Sequence, residues 1–186
     1  MVRLPAVRRF SVHEYHQMAA AGILNEDDPV ELIEGEIVEM PPMGSPHAAC
    51  ISRLTQILVT QAGNLADVRV QLPVRLDERS EPEPDLALVK SRADSYASAH
   101  PGPDDVLSVI EVADTTLHYD RSVKGPWYAR AGLLTYWLVD LVHGRVDVHR
   151  EPVAGRYRTV RAFGRGERLS LEALPGIDIA VEDVLG

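Results

Sequence analysis

Apolar and polar positions alternate with periods that change several times along the chain, and each change marks an element. Ser11 and Glu14 have the spacing of a capping box, predicting a helix that buries Val12, Tyr15 and Met18 and stops near Gly22. Pro29 to Met40 (PVELIEGEIVEM) predicts a hairpin with Glu34-Gly35 at its turn. Pro41 to Pro46 (PPMGSP) is a loop by composition, after which Ser45 caps a second helix with Pro46 at its first position. Cys50, Ile51, Leu54, Ile57 and Leu58 recur at helical spacing and form its buried stripe. After Gly63 the pattern turns to strands, over 68–76, 84–89 and 106–112, with a polar surface loop over 90–104. A short helix from about Ser122 to Ala131 closes at Gly132. Leu133 to Val139 (LLTYWLV) is apolar on both faces, which places it centrally in a sheet. Residues 145–150 and 156–163 read as an antiparallel pair, and 171–185 as irregular structure packed on the rest. The expected fold class is α/β (α+β), a mixed β-sheet flanked by helices, in one domain over residues 1–186.

Composition narrows this picture. A hydrophobic fraction of 45% and a charged fraction of 25% suffice for a buried core. No apolar run approaches the roughly 18 residues that span a bilayer, and the basic N-terminus, Met1-Val-Arg-Leu-Pro, lacks the apolar stretch of a signal peptide. Cys50 is the single cysteine, so no internal disulfide or thiolate metal site forms, and Cys50 itself falls on the apolar stripe. These features predict a cytoplasmic protein without a membrane partner. The net charge of −9 argues against tight non-specific nucleic-acid binding, although 19 lysines and arginines leave room for a local basic face. A bound divalent ion would offset part of that charge.

Two carboxylates stand out because they interrupt apolar strands. Asp85 opens the strand Leu86-Ala87-Leu88-Val89 behind a proline that favours extended geometry, and Glu111 sits inside Val109-Ile110-Glu111-Val112-Ala113. An unpaired ionised carboxylate in an apolar site costs several kcal/mol, so Glu111 is at a solvated edge, paired with a cation, or part of a site. If the two strands are neighbours, Asp85 and Glu111 converge on one hard cation. Lys124 opens the helix that follows, with Pro126 confined to its first turn, so its ammonium can reach back over the strand end; the alternative is a solvated first-turn lysine. His47, just after the Pro-rich loop, can assist a phosphate or water, or simply cap its helix. His13 and His16 lie three apart on a helix without a third ligand and read as surface residues; His100, His118, His143 and His149 carry no assigned role. Neither a Gly-rich phosphate loop nor a Gly-x-Ser-x-Gly elbow is present.

Taken in order, Glu-Pro-Asp-Leu-Ala-Leu-Val (83–89), Val-Ile-Glu-Val-Ala-Asp (109–114), Tyr-Asp-Arg-x-x-Lys-x-Pro-x-Tyr-Ala-Arg-Ala-Gly (119–132) and Tyr-Trp-Leu-Val-Asp (136–140) resemble the Uma-type endonucleases of the PD-(D/E)XK restriction-endonuclease-like superfamily. Glu31-Leu32-Ile33-Glu34-Gly35-Glu36 and the loop Pro42 to His47 are similar to it as well. The resemblance covers roughly residues 10–150. It implies a restriction-endonuclease-like core and a phosphodiesterase site dependent on Mg²⁺ or Mn²⁺. Asp85 then matches the PD aspartate and Glu111 the acid of (D/E)XK, with the Val112 carbonyl a further candidate metal ligand. Ala113 stands where the motif carries lysine, and Lys124 is the candidate replacement. Glu34 and Glu36 are both candidates for an additional N-terminal acid.

The function these residues imply is metal-dependent hydrolysis of DNA phosphodiester bonds, with a homodimer as one assembly suited to cutting both strands. A second reading is a catalytically weak or inactive nucleic-acid- or protein-binding module on the same fold. A third is a hydrolase of small phosphorylated substrates, which requires a narrow closed pocket. The nuclease reading calls for Asp85, Glu111, Lys124 and an N-terminal acid in one cleft with an arginine-lined rim.

Overall fold

The two apolar faces of the strands are both covered. The computed structural model of the chain describes residues 6–25 and 27–186; the basic residues 1–5 lie outside the described residues. Six strands form one sheet in the order β3 (Ala66–Val70), β4 (Leu86–Lys90), β5 (Val106–Ala113), β6 (Thr135–Asp140), β7 (Arg145–Val153) and β8 (Arg156–Gly164). All neighbours are antiparallel except β5 and β6, which run parallel from Val109↔Tyr136 to Ala113↔Asp140. A parallel pair needs a crossover, and here the helical stretch between β5 and β6 provides it. That stretch is α3 (Leu117–Tyr119), a π-helical turn (Asp120–Lys124) and α4 (Gly125–Arg130).

Alternation along the strands sorts the core into two layers. Leu86, Leu88, Ile110, Val112, Trp137 and Val139 face α2 (Ser45–Ala62), where Cys50, Leu54 and Leu58 are fully buried. Ala87, Val89, Val109, Ala113 and Leu138 face the other way, towards Tyr128 and Leu133. Every residue of β6 is buried, as expected for its central place. Burial of each such large apolar side chain contributes roughly 1.5–3 kcal/mol. The α1 helix (Val12–Ala20) carries the expected capping box, with Glu14 N donating to Ser11 Oγ and Ser11 N donating to Glu14 Oε2. No helix among the described residues is long and apolar enough to cross a membrane.

Several boundaries differ from the sequence reading. The α2 helix begins at Ser45 with Gly44 as its cap, so Ser45 does not cap it and makes no side-chain bond there. The β3 strand stops at Val70, and residues 71–80 are irregular, held by backbone bonds such as Val74 N to Pro82 O. The helix expected from Ser122 begins at Leu117, so Lys124 and Pro126 lie within a longer helical stretch. Pro126 has no N–H to donate, and the turn before it is widened to the π form, with Gly125 N donating to Asp120 O. The C-terminal segment is ordered: β10 (Asp178–Ala180) pairs with β9 (Arg168–Ser170), and α5 (Val181–Leu185) packs on α2.

The hairpin of β1 (Val30–Ile33) and β2 (Glu36–Glu39) stands apart from the large sheet. It is sewn to the segment before β4 by Gly35 N to Arg79 O and Glu81 N to Leu32 O, both 2.7 Å. Gly35 has φ +78°, and a Cβ there would meet Arg9 Cβ at 2.8 Å and Phe10 O at 2.9 Å. Gly35→Ala therefore lowers stability by more than about 1 kcal/mol. Urea denaturation checks this, and an unchanged midpoint would show that the turn tolerates a side chain.

Candidate active site

The β4–β5 register creates the site. Leu86 pairs with Ile110, so the preceding Asp85 lies beside Glu111, and both are in phase with the strand face that meets the crossover helix. Val112 N donates to Asp85 Oδ2 at 2.8 Å, and Asp85 N reaches Glu111 Oε2 at 3.4 Å. The crossover delivers two donors to the other carboxylate oxygen. Lys124 Nζ donates to Glu111 Oε1 at 3.0 Å and Tyr128 OH donates to the same atom at 2.5 Å. Glu31, on β1, lies on the far side of the ammonium with Oε1 at 3.7 Å, and it also accepts from Glu83 N at 3.1 Å. Glu31 Oε2 is buried without a partner. His47 Nε2 sits 2.9 Å from Asp85 Oδ1, but off the line a hydrogen bond needs.

These groups are almost entirely withdrawn from water: Glu31, Glu111 and Asp120 are each 3% exposed and Lys124 is 2% exposed. Burial drives the Glu111 carboxyl up, Lys124 pulls it back, and Asp85, Asp120 and Glu31 push it up again, to about 8. Glu31 and Asp120 are likewise raised by burial and lowered in part by Lys124. Burial disfavours the Lys124 ammonium, but Glu111, Glu31 and Asp120 outweigh it and hold the proton on. Burial also opposes charge on His47, and Asp85, Asp120 and Asp114 more than offset it, leaving the imidazole raised. The site opens into a cleft of about 560 Å³ whose wall carries eight carboxylates, among them Asp28, Glu83 and Asp114, against Lys124 and His47. No arginine lines it among the described residues.

The family model described as "Uma2: Putative restriction endonuclease" matches residues 12–182. The chain belongs to this family. A crystal structure from Anabaena variabilis ATCC 29413, described as a putative nuclease belonging to DUF820, shares the fold with a TM-score of 0.75. Its sequence identity to this chain is 17%, and the match covers 95% of this chain and 97% of that one. Comparison with curated proteins gives no match.

In this Uma2-family chain, Asp85, Glu111, Lys124, His47 and Val112 all reach one cleft. Val112 contributes its amide to Asp85. Glu34 and Glu36, the two acids expected from the N-terminal hairpin, do not line that cleft. Glu34 sits in the turn at φ +49° and pairs with Arg130 at 2.6 Å, and Glu36 pairs with Arg9 at 2.9 Å. The hairpin acid beside Lys124 is Glu31. It interrupts the run Val30-Leu32-Ile33, the same signal that singled out Glu111, and strand alternation turns it inward while the turn carries Glu34 outward. Tyr128, which the sequence alone reads most simply as packing, bonds Glu111, and Asp120, which the sequence does not single out, lines the cleft.

A carboxyl whose folded pKa is raised binds its proton more tightly in the native state than in the unfolded one. Its contribution is complete below the unfolded value of 4.5 and is lost as pH rises through about 8. The metal-free protein, held in EDTA, accordingly melts at a lower temperature at pH 8.5 than at pH 6, and Glu111→Gln flattens that slope. A wild-type melting temperature that rises over this interval, with the same slope in the variant, contradicts the assignment.

Proposed function

We propose that this protein is a nuclease that hydrolyses DNA phosphodiester bonds at the Asp85–Glu111 cleft with the help of Mg²⁺ or Mn²⁺. The observation that carries the reading is the 3.0 Å contact of Lys124 Nζ with Glu111, beside Asp85 on the same strand face. A motif acid and a lysine thus meet although they come from a strand and a helix. The donor set suits a hard divalent cation, because it is made of carboxylate oxygens in excess over cations and includes the orphaned Glu31 Oε2. Asp85 and Glu111 would hold the ion, with the Val112 carbonyl a further candidate, and water and substrate oxygens would fill the other positions. When bound, the ion supplies Lewis-acid stabilisation of the phosphodiester and a water of lowered pKa.

The chain's own groups do the positioning. Tyr128 and Lys124 fix Glu111 Oε1, leaving Oε2 turned towards Asp85. Lys124 also brings the only lysine charge of the cleft wall among the described residues, where negative charge would develop on the phosphoryl oxygens. His47 stands against Asp85 Oδ1, where it can hold or release a proton next to the reacting group. A duplex cut on both strands would call for two such sites, which a symmetric dimer supplies.

The acidic wall favours a second reading, a binding module with little cleavage activity, since a polyanion enters such a cleft only with counterions. Cleavage of supercoiled plasmid and of single-stranded DNA with Mg²⁺ or Mn²⁺ separates the two. The nuclease reading expects metal-dependent cutting, abolished in Asp85→Ala and reduced roughly 10²–10³-fold in Lys124→Met, with folding of both checked by circular dichroism. No cutting by clean wild-type protein on either substrate with either metal would favour the binding module. Tyr128→Phe removes one hydrogen bond to Glu111, and a loss of roughly 10–100-fold in Mg²⁺ affinity, read by calorimetry, is expected.

A further inference from the structure

A second cluster of metal-ligating side chains lies outside the cleft. His16 projects from α1, Glu81 lies in the segment leading to Asp85, and His100 belongs to the connection between β4 and β5. One ligand atom from each falls within 4.8 Å of the other two, and this is the one such trio of histidine, cysteine or acid among the described residues. His16 Nε2 is 2.5 Å from Glu81 Oε1, and the His16 and His100 rings meet edge-on with centroids 6.2 Å apart. Glu81 is 3% exposed and its Oε2 is buried without a partner. A buried carboxylate with one oxygen unsatisfied and two imidazoles beside it is a donor set suited to a cation.

We infer that His16, Glu81 and His100 form a zinc-type divalent metal site that clasps α1 and the β4–β5 connection to the segment running into Asp85. Two imidazole nitrogens and one carboxylate oxygen suit Zn²⁺, whereas Mg²⁺ prefers oxygen throughout. Ligand bonds of about 2.0–2.1 Å place donors of a tetrahedral site roughly 3.3 Å apart. The trio brackets that spacing, between the 2.5 Å pair and the 4.8 Å limit, so closure needs side-chain adjustment only. The ion would sit between His16 Nε2 and Glu81 Oε1, in place of their direct contact. His16 and His100 are exposed, so the fourth position faces water. The backbone at Glu81 is already fixed, because its N–H donates to Leu32 O at 2.7 Å and Pro82 follows it. The site shares no residue with the Asp85–Glu111 cleft, so it stands or falls independently of the nuclease reading.

Zinc titration by calorimetry tests it, on the wild type, His100→Ala, the double variant His16→Ala/His100→Ala, and Asp85→Ala. In Asp85→Ala, where the proposed cleft ligand is removed, the expected result is one zinc equivalent; relative to the wild type, that equivalent is weakened at least about 10-fold in His100→Ala and lost in the double variant, whatever the cleft itself binds. Zn²⁺ also raises the melting temperature of the wild type and not of the double variant, and Co²⁺ gives the visible absorption of a low-coordinate site only where the trio is intact. Both histidines are exposed, so the variants retain the fold. Equal zinc affinity in the wild type and the double variant, or zinc binding lost only in Asp85→Ala, overturns the proposal.

Discussion

The Lys124 ammonium, 2% exposed and set between Glu111 and Glu31, is, among the described residues, the one lysine or arginine buried among the carboxylates of the cleft. Removing a charge from water costs several kcal/mol, and only close opposite charges and hydrogen bonds repay it. Here Glu111 at 3.0 Å and Glu31 at 3.7 Å do so, and neither acid could stay ionised at that depth without the lysine. The compensation is incomplete, since Asp85 and Asp120 add further negative charge to the same spot. The remainder has two physical outlets, a proton or a divalent cation. The raised Glu111 carboxyl and the proposed metal site are thus two readings of one arrangement.

Delivering this ammonium also explains the irregular crossover. A uniform α-helix through residues 117–130 would have to pass Pro126 without its N–H, and the π turn accommodates that by sharing Asp120 O with Gly125 N. The same turn buries both Asp120 and Lys124 and sets Tyr128 one turn further on, over Glu111. Gly125 keeps this turn close to the sheet: a Cβ there would stand a tight 3.3 Å from Tyr136 Cε1, whose hydroxyl donates to Asp120 O.

The strands could be read from the sequence wherever burial is two-sided. The run 133–139 is apolar on both faces and is central in the sheet, and the pairing of 145–150 with 156–163 follows from plain alternation. The C-terminal β10 and α5 escaped because three and five residues are too short for a period to emerge, and their stability comes from α2 and β9. Asp85 and Glu111 were legible as acids in apolar strands. Which hairpin acid approaches Lys124 was not, because that depends on the Glu34-Gly35 turn pointing Glu34 towards Arg130. The His16–Glu81–His100 trio was invisible for a related reason: its members are spread over 85 positions, from 16 to 100, and only the tertiary fold brings them together.

The alanine at position 113 has a packing reason. Ala113 lies two residues beyond Glu111 on the same face of β5, is fully buried, and belongs to the layer that contains Tyr128, Tyr136 and Leu138. Two tyrosines with centroids 5.3 Å apart belong to that layer, so a longer side chain at position 113 would enter an already filled layer. Overpacking of this kind costs typically 1–3 kcal/mol before any charge is buried. The ammonium comes from the covering helix, where Lys124 donates to Glu111 Oε1 while Asp85 N reaches Oε2. Tyr128 belongs to that layer and also hydrogen-bonds Glu111, so the lysine on the helix and the Tyr128 contact are parts of one packing solution.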